Sequence, residues 1–422
     1  MDASNTRGAA AVNPSSDPPP SAPATPEPSR GRILTLLAAG HGVTHWFYGI
    51  LTVSLPLITR DFGITYTQLG ALRSVERVSN IISITASGLA TDFLKDRKGI
   101  LLLSLVWPSL FFSLQGFSTT FLVFGALLCT QALAGGFMWH APARAVIGDR
   151  FPDRMGFALG VHAMGGNLAA SIGPVVVGAV LAWVTWRTVF AFQFLPGIVT
   201  ALFLWLLLPR LGHAPRDRRN VSYGRALRSD VLTNFPLIGV TVVAGLRSIG
   251  ENLIPTFLPL YLSVEMKMGT AAIGIYLGCL ALVGTVFAPI VGHMSDRWGR
   301  KSTIFISLLT GGLLIGSIPL FPSGWLLLPV VSLGGMALFA VGPIIQASGL
   351  EHAPKDIWGA AQTFMDVGRS SFSLVFPLIA GAVADLYGLS YTFYLFAIVN
   401  LVAAATILIV PRARTPIKDL KT

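Results

Sequence analysis

A succession of apolar segments, each long enough to cross a lipid bilayer, constrains this chain more than any other feature. A helix needs about 20 predominantly apolar residues to span the hydrocarbon core, and lipid cannot hydrogen-bond an open backbone. Of the 422 residues, 53% are hydrophobic and 12% are charged. We predict an all-α integral membrane protein with twelve transmembrane helices. The predicted spans are residues 33–59, 67–91, 100–118, 120–143, 156–182, 188–208, 232–262, 270–294, 302–320, 325–349, 357–383 and 389–410.

The twelve spans divide equally around a charged segment that contains no apolar run. We predict two six-helix bundles, residues 33–208 and 231–411, joined by a cytoplasmic linker at 209–230. Residues 1–32 are rich in proline and lack an apolar core segment, which predicts a disordered cytoplasmic tail and not a signal peptide. Residues 412–422 form a second cytoplasmic tail in this prediction.

The basic residues are distributed asymmetrically about the predicted membrane. The net charge is +11, yet only Arg60, Arg187 and Lys267 of the 30 Lys and Arg residues fall in predicted outer loops. Four more lie within spans, and all others lie in predicted cytoplasmic segments. This distribution follows the positive-inside rule and predicts that both termini are cytoplasmic. Basic loops beside anionic lipid headgroups account for the charge, so we predict no nucleic-acid partner.

A charged hairpin recurs once in each half of the chain. The second copy, Gly292 to Lys301, reads G-H-M-S-D-R-W-G-R-K and follows span 8. The first copy begins at Gly88 after span 2, but Phe93 follows its acid and Lys95 stands where the second copy has glycine. Paired halves with hairpins in equivalent places are typical of duplicated secondary transporters.

With these features the chain resembles the major facilitator superfamily over residues 33–410. The second hairpin matches that superfamily's signature G-x-x-x-D-R-x-G-R-K at every position, whereas the first departs from it. Residues 139–142 (W-H-A-P) and 156–174 are similar to the fosmidomycin-resistance type of efflux transporter. The resemblance implies alternating access between two bundles and proton-coupled export of small, often anionic, drug-like molecules.

The acids of the two hairpins are candidate gating residues. An acid at the end of an inside-facing helix can pair with basic groups and with the amino-terminal dipole of a neighbouring helix. Such a contact can form in one access state and break in the other, although a plain topological anchor is the alternative. We predict gating roles for Asp92, with Arg144 or Arg150 as its partner, and for Asp296. The second hairpin adds the basic gating candidates Arg297, Arg300 and Lys301.

Small residues crowd span 5, where Gly173 and Pro174 predict a kink. Small residues let helix backbones approach closely. Tight packing between helices and a gating hinge are both consistent with this pattern.

Ionisable residues within the predicted spans are the main candidates for a transport site, because a charge at mid-bilayer costs ~3 kcal/mol or more. Each acid has a basic neighbour one helical turn away, so structural ion pairing remains an alternative. The groups are Arg73, Glu76 and Arg77 in span 2, Arg247 and Glu251 in span 7, and Asp366 and Arg369 in span 11.

Four arginines against three acids leave a positive surplus, which suits bidentate capture of a carboxylate, phosphate or phosphonate. An acid whose arginine is shared with a substrate can alternate between protonation states. We therefore predict substrate-binding arginines and proton-carrying acids. The arginines are Arg77, Arg247, Arg73 and Arg369, and the unranked acids are Glu76, Glu251 and Asp366.

Histidines form a second group of candidates. His41 and His45 share one face of span 1, and His140 and His162 lie in spans 4 and 5. A neutral hydrogen-bonded role, proton relay, substrate contact and metal binding all remain open. No cysteine or acid neighbours His41 and His45 in sequence, so we predict substrate contact for this pair, and neither a bound metal nor a cofactor.

No nucleotide-binding loop or hydrolase motif is present, so we predict no enzyme and an ion gradient as the energy source. The first hypothesis is proton-coupled export of a small anionic or drug-like compound by a monomer. It would reside in the bacterial inner membrane or an internal membrane derived from it. One alternative is import of an organic anion, or of a metal such as iron with His41 and His45 as entry ligands. Another is a non-transporting membrane sensor or assembly protein.

Overall fold

The computed structural model describes residues 29–93, 96–209, 231–321, 326–354 and 358–411, and these residues form helices joined by short connections, without a strand. The predicted tails and linker lie mostly outside this part of the chain. The helices, numbered in chain order, are α1 Arg30–Phe62, α2 Tyr66–Phe93, α3 Arg97–Gln115, α4 Phe121–Leu133, α5 Gly136–Arg150, α6 Met155–Val180, α7 Trp186–Ala191, α8 Phe194–Leu207, α9 Phe235–Val264, α10 Thr270–Trp298, α11 Arg300–Ser317, α12 Leu327–Phe339, α13 Gly342–Glu351, α14 Trp358–Phe372, α15 Phe376–Tyr387 and α16 Ser390–Ile409.

Ten helical segments of the described chain are long and apolar enough to cross a membrane. The helices α1 and α2 complete the set of twelve but are more polar, and α2 alone carries Arg73, Glu76, Arg77 and Asp92. Four of the twelve segments consist of two successive helices, namely α4–α5, α7–α8, α12–α13 and α14–α15. The predicted all-α membrane architecture is confirmed. We refer to α1–α8 as the first half and to α9–α16 as the second half.

Local sequence explains where several helices begin and end. The Ser29 side chain accepts a hydrogen bond at the start of α1, and α1 ends at Gly63 with a left-handed φ of 62°. Asp96 caps α3 by accepting from the Gly99 amide at 2.8 Å. Asn234 caps α9 in the same way. These capping residues satisfy amides that the helices leave open.

One lysine in each hairpin ties that hairpin to the last helix of its own half. The Lys98 ammonium donates to the carbonyls of Trp205 at 2.7 Å and Leu208 at 2.5 Å, at the end of α8. Lys301 donates to the carbonyls of Leu408 at 2.7 Å and Val410 at 2.8 Å, at the end of α16. A cation at a helix carboxyl end is favourable because the last carbonyls lack partners within the helix. The two halves therefore share the same anchor.

The two halves meet at one end of the bundle, which we call the closed end. There α2 crosses α15, and α6 crosses α10. A Cβ atom at any of four glycines would collide with a backbone carbonyl of the facing helix, so close approach requires glycine at these positions. The glycines and the residues that carry the facing carbonyls are Gly70 with Pro377, Gly381 with Tyr66, Gly178 with Thr270 and Gly274 with Pro174.

A carboxylate reinforces the closed end. Asp385 of α15 accepts hydrogen bonds from the backbone amides of Tyr66 at 2.9 Å and Thr67 at 2.7 Å. These are the first two residues of α2, where the helix dipole favours a negative charge. Asp385 thus caps a helix of the first half from the second half.

The opposite end of the bundle is open. A Cβ atom at Gly88 of α2, Gly160 of α6 or Gly292 of α10 would have no described atom within 4 Å. The contact of α2 with α15 is extensive, whereas its contact with α14 is slight. The helix pairs that cross at the closed end therefore diverge toward the hairpins.

Replacing Asp385 by alanine is expected to shift molecules away from the state that is closed at this end. The Tyr66 and Thr67 amides lose their acceptor, and a helix cap of this kind contributes about 1 kcal/mol, roughly a fivefold change in population. Spin labels at the exposed positions Trp183 and Tyr387 report the separation of the two halves. The distance distribution in Asp385→Ala should gain a longer component.

The matched control is Asp61→Ala, because Asp61 pairs with Arg187 at 2.9 Å within the first half. Its distance distribution should equal that of the parent protein. Both variants are made after Cys129 and Cys279, which are free thiols, have been replaced by alanine. An unchanged distribution in Asp385→Ala would show that this cap does not hold the closed end.

Candidate functional site

Of the charged residues on α2, some bond to a neighbour on the same helix and one bonds to the second half. Arg73 is 3% exposed and pairs with Glu76 at 2.5 Å, one turn along α2. Arg77 instead donates to the Asn252 side-chain oxygen of α9 at 2.5 Å. The spacing on α2 places Arg73 and Arg77 on either side of Glu76, but the Arg77 guanidinium bonds to Asn252 of α9 and makes no salt bridge to Glu76 among the described residues.

A second set of charges connects three helices of the second half. Arg247 of α9 donates to Glu251 at 2.6 Å and to the Leu338 carbonyl of α12 at 2.6 Å. Arg369 of α14 lies 3.8 Å from Glu251 and 3.8 Å from Asp366. Glu251 therefore lies between a buried and a partly exposed guanidinium, and its own side chain is 25% exposed.

Neutral polar groups complete this cluster, and Asn252 among them is not predicted from the sequence. Asn252 donates to the Ser248 carbonyl at 2.7 Å, and Gln362 donates to Asp366 at 3.1 Å. Tyr48 of α1 lies within electrostatic reach of the charged residues on both α2 and α9. The sequence feature that could have identified Asn252 as a site residue is its position beside Glu251 on a predicted span. Its partner Arg77, 175 residues away, could not be read from spacing.

The seven ionisable side chains form one site between the halves, which we call the central cluster. It comprises Arg73, Glu76, Arg77, Arg247, Glu251, Asp366 and Arg369.

The central cluster holds four guanidinium groups and three carboxylates, so it carries one surplus positive charge when all are ionised. Within the described chain, Arg77 has no carboxylate at salt-bridge distance, and its bond to Asn252 is to a neutral group. A guanidinium offers several donors in a planar fork that matches a carboxylate or phosphonate. The substrate-binding roles of the four arginines stay predictions.

The predicted histidine candidates form a group of their own. The ring centroid of His41 lies 4.8 Å from that of His45, 5.0 Å from that of His140 and 4.3 Å from that of His162. The substrate-contact role predicted for His41 and His45 stays a prediction. The structure brings them together with the histidines of α5 and α6.

The hairpin residues make their contacts within one half in this state. Arg300 binds Asp296 at 3.0 Å and Glu351 at 2.8 Å, and Lys301 caps α16. Arg297 is exposed. The side chain of Asp92, at the end of α2, lies outside the described part of the structure. The gating roles of these residues stay predictions.

Gly173 and Pro174 lie where α6 packs on α1. A Cβ atom at Gly173 would be in ordinary contact with the Trp46 ring, and the Pro174 ring lies against Gly49. The Pro174 carbonyl also faces α10 at the closed end. These contacts are those of a tightly packed segment, and a hinge role stays a prediction.

Comparison with known proteins places the chain among membrane transporters. The family model of the Major Facilitator Superfamily matches residues 37–372 and 240–422. The multidrug resistance protein MdtG of Serratia proteamaculans is 26% identical over 369 residues, which cover 84% of this chain and 87% of that protein.

Two solved structures show the fold at low sequence identity. A bacterial homolog of the human lysosomal transporter Spinster, inward-facing and unoccupied, is similar with a TM-score of 0.80 at 15% identity. The similarity covers 92% of this chain and 98% of that one. The nucleoside transporter NupG has a TM-score of 0.76 at 14% identity, covering 89% and 99% of the two chains.

Proposed function

Because the chain belongs to the Major Facilitator Superfamily, we propose that this transporter exports a small anionic or drug-like compound in exchange for protons. The observation that carries the proposal is the surplus guanidinium of the central cluster. Where the two halves face each other, the Arg77 guanidinium bonds to the neutral side-chain amide of Asn252. An incoming anion can therefore bind the guanidinium without displacing a carboxylate.

The similar proteins support export as the direction. The MdtG relative is named a multidrug resistance protein, and residues 139–142 and 156–174 resemble the fosmidomycin-resistance type of efflux transporter. Both point to removal of a foreign compound from the cell. The bacterial relatives support residence in the inner membrane, where a proton gradient is available, and a monomer is sufficient for this fold.

The charge distribution supports an orientation for the bundle. If the basic hairpins and both termini face the cytoplasm, as the positive-inside rule predicts, the closed end faces outward. The structure would then represent an inward-open state, like that of the similar Spinster homolog. Residues 33–208 and 231–411 would rock about the central cluster, and opening of the closed end would release the compound outside.

Each charged residue of the central cluster has a proposed role. Arg77 and Arg247 bind the anion, with Arg73 and Arg369 as further basic contacts. Glu251 is the first proton carrier to test, because it lies between Arg247 and Arg369. Protonation of Glu251 releases both guanidinium groups for substrate, whereas ionisation recaptures them. Glu76 and Asp366 are the other proton carriers in this proposal.

The proposal predicts that transport by the reconstituted protein depends on both a pH gradient and the substrate's charge. A phosphonate, a carboxylate and a neutral compound of similar size are compared in proteoliposomes, with the gradient imposed or collapsed. Movement of the anions against their own gradient should require the pH gradient, and the neutral compound should move more slowly. Equal rates for all three, or movement indifferent to pH, would contradict the proposal.

A further inference from the structure

Four histidines from three helices of the first half gather in one place. His41 and His45 come from α1, His140 from α5 and His162 from α6. The His41 ring stacks on the His162 ring at 4.3 Å with an angle of 10° between their planes. One ring nitrogen each from His41, His140 and His162 can be chosen so that all three lie within 4.8 Å of one another.

Hydrogen bonding fixes the tautomer of His41. The His41 Nδ1 atom lies 2.8 Å from the His162 carbonyl oxygen. A carbonyl only accepts, so Nδ1 carries the proton and donates it, and Nε2 of the neutral ring keeps its lone pair. That Nε2 atom is buried without a hydrogen-bond partner among the described residues. His41 as a whole is 6% exposed.

His162 is also buried, with 4% of its surface exposed. The Leu37 carbonyl lies beside its ring, yet neither ring nitrogen makes a hydrogen bond of acceptable geometry within the described chain. A polar atom buried without a partner is energetically unfavourable. Gly166 of α6 admits the His41 ring, since a Cβ atom there would collide with it. The packing thus holds two imidazoles together with unused nitrogen lone pairs.

We propose that His41, His140 and His162 bind a divalent late first-row transition-metal ion, represented by Zn²⁺, with His45 available as a fourth ligand. Tetrahedral Zn²⁺ bonds of about 2.0–2.1 Å place ligand nitrogens about 3.4 Å apart. The three nitrogens already lie within 4.8 Å of one another, and metal binding would turn the His41 and His162 rings out of their stacked arrangement to reach that spacing. The bond from His41 Nδ1 to a carbonyl is the outer hydrogen bond that orients a metal-binding histidine.

The ligand chemistry selects the class of ion. The cluster offers imidazole nitrogens only, which suit Zn²⁺, Ni²⁺ and Cu²⁺ and do not suit Mg²⁺ or Ca²⁺. Arg144 on α5 is a cation whose field reaches His41, His140 and His162. Its charge opposes a bound cation, so removing that charge should strengthen binding.

The metal would be a resident ion and not cargo. All the ligands belong to α1, α5 and α6, so a bound ion joins helices within the first half. From the sequence alone, His41 and His45 are the pair with metal-ligand spacing, and no bound metal is predicted. The structure adds His140 and His162, which approach only through the packing of α5 and α6. The inference is independent of the compound transported and of its direction.

The test is Zn²⁺ titration of the purified full-length protein in detergent, after treatment with a chelator, with a chromophoric chelator as competitor. The unmodified protein should bind one ion, and His41→Gln or His140→Gln should lower the affinity at least about 100-fold. His352→Gln is the matched control, since His352 lies at the end of α13, and its affinity should be unchanged. Absence of Zn²⁺ binding by the unmodified protein would overturn the proposal.

Two further measurements extend the titration, and the first leaves all four histidines in place. Arg144→Gln should bind Zn²⁺ more tightly than the unmodified protein, because a repelling cation is lost. Co²⁺ should give the visible absorption bands of nitrogen coordination in the unmodified protein, and these should disappear in His140→Gln. Weaker Zn²⁺ binding by Arg144→Gln, or Co²⁺ bands that survive in His140→Gln, would overturn the proposal.

Discussion

Transport driven by a pH gradient is expected to fall to the background of protein-free vesicles when Glu251 is replaced by glutamine. The amide keeps the size of the side chain but cannot bind or release a proton near neutral pH. Arg247, at 2.6 Å, and Arg369, at 3.8 Å, would then face a permanently neutral group. Exchange of labelled for unlabelled substrate without a gradient should persist, because it needs no net proton movement. Uptake into inside-out vesicles measures both activities.

Glu265→Gln is the matched control, because Glu265 lies at the end of the same helix and binds Ser390 through its side chain at 2.5 Å. This variant should retain driven transport. Loss of driven transport and exchange together in Glu251→Gln would indicate a structural role. Driven transport equal to that of the parent protein would remove Glu251 from the coupling mechanism and direct the test to Glu76 and Asp366.

Replacement of Arg77 by lysine is expected to weaken the binding of anionic substrates about tenfold to 100-fold while leaving neutral compounds unaffected. Lysine keeps the charge but loses the planar fork, so one of two charge-assisted hydrogen bonds disappears, at a cost of about 1.5–3 kcal/mol. The shorter lysine side chain would also lose the hydrogen bond that the Arg77 guanidinium donates to the Asn252 side-chain oxygen at 2.5 Å. Binding is measured by the substrate's displacement of a radiolabelled anion from purified protein.

Arg60→Lys provides the control, because Arg60 is exposed in the last turn of α1 and lies outside the central cluster. Its affinity for the anion should match that of the parent protein. An equal loss for anionic and neutral compounds in Arg77→Lys would mean that the arginine supports the shape of the site and does not recognise charge.

The fold was largely predictable, because bilayer thickness fixes the length of a span and lipid forbids open backbone groups. The breaks within the spans were not predictable from the sequence, because a break such as that between α7 and α8 depends on how neighbouring helices pack. The polar composition of α1, most of whose described length is buried, shows that a helix inside a bundle needs less apolar surface than one facing lipid. Periodicity alone could not separate these cases.

The charged site was predictable in part. Pairs one turn apart on a helix follow from spacing, and Arg73 with Glu76 and Arg247 with Glu251 pair as that spacing indicates. Contacts between helices do not follow from spacing. The bond from Arg77 to Asn252 and the approach of Arg369 to Glu251 depend on how the helices are arranged in space.

The partner of Asp385 is the main chain of α2, and this has a genetic consequence. A side-chain ion pair, such as Asp61 with Arg187, can be rescued after mutation by exchanging the two charges. The amides of Tyr66 and Thr67 belong to every residue except proline, so no reciprocal substitution exists for them. Revertants of an Asp385 variant should therefore restore an acid at that position or alter the opposite end of the bundle, and not change residues 66 and 67.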